Sequence, residues 1–201
     1  MAEPMILNKI SPHYTVDKLD SDDIEDWIDI FEDRMIHWIL DPASFLLKYE
    51  HNEQPITHLI IHYFEIFMMY YRGEDSYRKS RSFFKRGFVE VYKNSHDNHS
   101  FLEKLADRVY INARNGFFHS GLGKKQLFLS TVYNEPFRAV LPYAEDGLAD
   151  YKGEIGDICI NPHLLLRDIS NHFKDYIQML RNPDSAVLRK NFRKTFERIS
   201  Q

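Results

Sequence analysis

A single cysteine, Cys159, stands in the 201 residues, so no disulfide can close within the chain and no thiolate cluster can hold a metal in one subunit. Its neighbours Ile158 and Ile160 suit an inert buried thiol better than a nucleophile. Also missing is a basic N-terminal segment leading into an apolar run, and the most apolar stretch, His58 to Tyr71, is interrupted by His62 and Glu65. These absences predict a cytoplasmic protein with no membrane partner. Glycine is scarce, at eight residues, and none forms a phosphate loop: Gly121-Leu122-Gly123-Lys124 has neither the Walker spacing nor a preceding strand. No G-x-S-x-G elbow occurs either, which excludes hydrolases of that type.

What the chain does have is core-forming material, 43% hydrophobic and 14% aromatic, enough for one domain over 1–201. A formal net charge of −4 argues against coating nucleic acid by bulk electrostatics, but the signs are segregated. Asp17 to Asp33 is dense in carboxylates. Arg72 to Lys93 and Arg181 to Arg198 are basic. Such runs read first as solvated helix faces and second as contacts to an RNA backbone, for which Arg78, Lys79, Arg81, Lys85 and Arg86 are the leading candidates and Arg189 to Arg198 the alternative.

Periodicity predicts a mainly α protein, an antiparallel helical bundle. Residues 1–21 show no sustained period and read as an irregular lead-in. Asp22 or Asp23 can cap a helix carrying Ile24, Trp27, Ile28, Phe31 and Met35 on one face, which Pro42 should end before a short helix from Ala43 to Glu50. From Pro55 to Tyr71 the apolar residues predict one long helix. Ile61, Ile66 and Met69 lie off its stripe, so it is either buried on most sides or also meets a second subunit. A basic helix follows from Arg78 to Lys93, with Gly87 as its weak point, and His99 or Ser100 starts the next. Residues 126–160 read as a β-containing insertion: Gln126 to Tyr133 and Phe137 to Tyr143 form a hairpin around Asn134-Glu135-Pro136, and Asp157 to Ile160 a further strand. Asn161-Pro162 caps a patterned helix to Leu180, and a basic helix occupies 184–198.

Two constellations carry chemical meaning. His58, His62 and Glu65 share one face of a regular helix and offer metal ligands, but polar residues opposite an apolar stripe are what any amphipathic helix shows, and we expect no metal there. In Ala113 to Gly121, ARNGFFHSG, Arg114 and His119 stand five positions apart. Five helical steps turn the two side chains apart, so they converge only where the helix loosens or bends, and Gly116 is placed to allow it while Phe117 and Phe118 anchor the turn in the core. The plainer reading is a structural helix end, with Arg114 favoured by the macrodipole and paired with a carboxylate such as Asp107 or Glu103.

Arg114-Asn115-Gly116-Phe117-Phe118-His119, after a helix-patterned segment in a mostly helical chain, resembles the R-x4-6-H signature of HEPN domains, with polar Asn115 in the first intervening position. The likeness extends to the helical body, about Asp22 to Arg181; the insertion at 126–160 lies outside the minimal fold. It implies a metal-independent endoribonuclease of toxin–antitoxin, antiphage or RNA-processing type, needing no cofactor. Its partners would be RNA, a second copy in a homodimer, and an antitoxin or regulatory protein. Arg114 and His119 would be catalytic and Asn115 supporting. The competing class is a non-catalytic HEPN-like binding or dimerisation module.

Overall fold

Side-chain caps set where three of the helices begin. The computed structural model describes residues 9–96 and 98–200; the part of the lead-in at 1–8 lies outside them. The rest of the lead-in is less irregular than expected. It holds an antiparallel bridge between Lys9 and Thr15 and a short helix α1, Val16–Leu19. Asp23 then caps α2, Ile24–Met35, by accepting the Glu25 amide at 3.0 Å. The chain does not end at Pro42. It widens into a π-turn at Ile36–Leu40, where Asp41 N–H bonds Ile36 O, and runs on into α3, Asp41–Leu46. Proline lacks the N–H that the regular ladder would need there, and the wider turn absorbs the loss.

The long helix expected from Pro55 to Tyr71 is two helices, α4 at Glu53–Ile60 and α5 at Tyr63–Arg72. The break at Ile61–His62 changes the phase of the second half, and Ile61, which lies off the stripe of a straight helix, becomes fully buried. Ile66 and Met69 pack against the core and are partly buried. The basic helix α6 spans Ser80–Tyr92; Asn98 caps α7, His99–Val109; a second π-turn, Tyr110–Arg114, leads into α8, Asn115–Ser120. Asn161 caps α9, Pro162–Arg181, and α10 spans Ala186–Ser200.

The insertion contains three short strands: β1 Leu127–Leu129, β2 Phe137–Ala139 and β3 Ile158–Ile160. The expected hairpin does not form. β3 lies between the other two, parallel to β1 and antiparallel to β2. Burial explains the order, because Ile158 and Ile160 are both fully buried and so claim the central position, while the edges carry exposed residues such as Phe128 and Arg138. The result is a mainly helical protein with a small three-stranded sheet. Among the described residues no helix is long and apolar enough to cross a membrane.

Charge segregation in the sequence becomes pairing in space. Arg181 reaches Asp29 at 2.7 Å and Glu32 at 2.6 Å, and Arg189 meets Glu25 at 2.8 Å, so the acidic face of α2 is held by α9 and α10. Arg193 lies over the Trp27 ring and Arg198 bonds Glu74 O. These contacts engage Arg189, Arg193 and Arg198 of the basic C-terminal run within the chain.

Gly87, expected as a weak point, is a close-packing point: a Cβ there would overlap the Phe64 carbonyl of α5. Gly87→Ala is therefore expected to lower the unfolding free energy by about 3 kcal/mol. Gly121→Ala, at a left-handed helix cap with open space around it, should lose only about 1 kcal/mol. Urea titration checks both. Equal small losses would mean that α5 and α6 do not meet at Gly87.

Candidate functional site

The site is built where the helix α7 loosens and re-tightens. The π-turn at Tyr110–Arg114, not Gly116, is the departure from regular geometry, and it ends on Arg114. Gly116 stays α-helical and buried, and serves another purpose: a Cβ there would come within 2.8 Å of Leu122 O and 3.2 Å of Lys124 N. It admits the returning loop, whose Lys124 N–H donates to Asn112 O at 3.0 Å.

Arg114 turns toward α5 and donates through Nη2 to Glu65 Oε2 at 2.9 Å, with side-chain exposures of 14% and 10%. The carboxylates expected to pair with it are engaged or elsewhere: Asp107 holds Arg81 through two bonds of 2.6 and 2.7 Å. The guanidinium carbon lies 4.9 Å from the Phe118 ring centroid and 5.5 Å from that of Tyr110. Its Nη1 approaches Asn115 Oδ1 at 3.5 Å, and its Nε is buried and makes no hydrogen bond.

Of the two phenylalanines, only Phe117 enters the core, at 2% exposure; Phe118 is 62% exposed. Successive helical residues point about 100° apart, so both cannot face inward. His119 is exposed on the last turn of α8, its ring 5.1 Å from that of Phe118 and perpendicular to it. Among the described residues no hydrogen bond joins Arg114 to His119, but both stand against one exposed aromatic ring.

His62 faces that ring too, with centroids 6.5 Å apart. Burial pushes its pKa down to about 4, helped by the charge of Arg114 and by His58 and opposed by Glu65. It is a neutral imidazole at pH 7. The helix break and the Arg114 pair dissolve the trio that sequence spacing placed on one face: Glu65 binds Arg114 and His58 stacks on Phe117 at 5.5 Å. Glu65 and His62 are the site residues that the Arg–His motif alone does not contain.

Arg78, Lys79, Arg81, Lys85 and Arg86 do come together, lining one cleft of about 810 Å³ between α6 and α7. The carboxylates Glu90, Glu103 and Asp107 line it as well, and Asp107 neutralises Arg81 and approaches Lys85 at 3.6 Å. Arg114, Asn115 and His119 are not among its lining residues. Comparison with family models, with curated proteins and with solved structures yields no match, so the HEPN resemblance rests on the chain's own residues.

Two outcomes test this geometry. Glu65→Ala leaves Arg114 mostly buried without its partner and should cost about 3 kcal/mol, whereas Glu65→Leu combined with Arg114→Met should cost less than either single change. Additive losses in the double variant would deny the pair. For His62, whose ordinary value of 6.5 falls to about 4 on folding, the unfolded chain binds more protons across that window, so stability falls as pH is lowered through it. His62→Gln should flatten this part of the profile. Parallel curves for wild type and variant would contradict the neutral, buried imidazole.

Proposed function

We propose that the α8 face carrying Arg114, Asn115, Phe118 and His119 binds and cleaves single-stranded RNA without metal, in an antiparallel HEPN-type bundle acting as a homodimer. The observation that supports this most is the placement of a fixed guanidinium and an exposed imidazole against the same exposed ring. A flat apolar surface with a cation beneath it suits an unstacked base, and the neighbouring donors suit its phosphate.

The chemistry needs three groups. A base takes the 2′-hydroxyl proton as the 2′-oxygen attacks phosphorus, a cation steadies charge on the phosphate, and an acid protonates the departing 5′-oxygen as its bond to phosphorus breaks. One His119 and one Arg114 do not fill all three. Two chains facing one cleft do: one His119 serves as base, the other as acid, and the guanidinium groups fork onto phosphate oxygens. Glu65 aims Arg114, and Asn115 orients a phosphate oxygen. An antitoxin or regulatory protein covering α8 completes the proposal for a toxin–antitoxin or defence system.

The mostly buried Arg114–Glu65 pair favours a second reading, in which Arg114 is structural and the chain is a non-catalytic module. Enzyme assay separates the two. With chelator present, wild type should cut single-stranded RNA to 2′,3′-cyclic phosphate and 5′-hydroxyl ends and spare DNA. His119→Ala should lose about 10² to 10⁴ in rate while remaining folded, and Arg114→Lys should also be strongly impaired because it loses the planar fork. Intact RNA with folded wild type, and variants that alter only stability, would establish the module.

A further inference from the structure

A second cluster of ligating side chains joins the lead-in to α2 and takes no part in the RNA reading. His13, Asp33 and His37 each offer one ligand atom, and these atoms all lie within 4.8 Å of one another. We propose that these three residues bind one Zn²⁺ ion, or a divalent transition metal of like chemistry, and that the ion clips the segment 9–15 onto α2.

The donor set selects the metal class. Two imidazole nitrogens and one carboxylate oxygen suit zinc and its neighbours, whereas magnesium and calcium seek oxygen ligands. Tetrahedral bonds of about 2.0–2.1 Å place neighbouring ligand atoms about 3.3 Å apart, and His37 Nε2 stands 3.5 Å from Asp33 Oδ1. His13 Nδ1 is closer, at 2.6 Å from the same oxygen, sharing a proton that a metal ion would replace. Its side chain is 63% exposed and so is free to open by the small distance required, which also leaves the fourth position to water.

An independent observation comes from behind the cluster. The other ring nitrogen of His37, Nδ1, meets Asp41 Oδ2 at 2.6 Å, the carboxylate–histidine arrangement that orients a metal-ligating imidazole. Two carboxylates thus face the two nitrogens of one ring. A neutral imidazole carries one N–H, so one lone pair would oppose an oxygen unless a cation, proton or metal, lies between. Asp33 is 7% exposed, and its second oxygen is already committed to the His13 amide at 3.0 Å, which leaves Oδ1 as the ligating atom. The π-turn at Ile36–Leu40 carries His37 at the midpoint between Asp33 and Asp41.

The test uses the full chain, freed of metal by chelator and dialysis. Calorimetric titration with ZnCl₂ should show one ion per chain and a raised Tm, MgCl₂ should show neither, and CoCl₂ should give the visible absorption of a four-coordinate site. His13→Gln and His37→Gln should each abolish the one-ion binding, and Asp41→Asn should weaken it by about 10- to 100-fold. Circular dichroism shows whether each variant is folded, and His13→Gln, at an exposed position, keeps the test available. No zinc binding by folded wild type would overturn the proposal. So would zinc binding that survives both histidine changes but is lost in His58→Gln or His62→Gln.

Discussion

The ion pair between Arg114 and Glu65 is the constraint on which the candidate site depends. It ties the end of the π-turn to α5 across 49 residues of sequence and sets the guanidinium beneath Phe118. Because both side chains are mostly buried, the geometry is strongly held: a lone charge in that position would be costly, so neither residue moves away freely. Burial lowers the proton affinity of His62, and the two members of the pair act on it in opposite directions, Arg114 lowering it further and Glu65 raising it. Structure and chemistry share one contact there, which is why the pair can be read both as a positioning device for a catalytic arginine and as a purely structural brace.

Two π-turns stand beside the two candidate sites. One ends on Arg114, the other contains His37. Wide turns of this kind are rare and recur at functional sites because they re-aim side chains that a regular helix would direct elsewhere. At Ile36–Leu40 the cause is visible in Pro42. At Tyr110–Arg114 no proline is involved; Asn112 and Ala113 are buried there, and the Asn112 carbonyl accepts the Lys124 amide.

Local signals in the sequence were legible where a single residue type decides the geometry. Asp22-Asp23 and Asn161-Pro162 mark helix starts by their capping chemistry, and β-branched and aromatic residues in 126–160 mark strands, whereas the cap at Asn98 was not read. Long-range choices were not legible. Nothing local announces the break at Ile61–His62, since neither residue is a breaker, and the sheet order depends on how deeply β3 is buried rather than on the turn between β1 and β2. Glu65 looked like the polar face of an amphipathic helix because its partner lies on a distant element. His13 fell in a stretch without periodicity, so its meeting with Asp33 had no pattern to reveal it.

The most direct test of the account is subunit dosing of RNA cleavage. Wild type and His119→Ala are mixed in varied proportion from the unfolded state, reassembled, and assayed on single-stranded RNA in chelator. A shared cleft that needs both histidines predicts that activity follows the square of the wild-type fraction, about one quarter at equal mixing, as expected for random pairing in a two-fold dimer. A linear fall to about one half at equal mixing would contradict the shared site, and no cleavage by wild type itself would contradict the account as a whole.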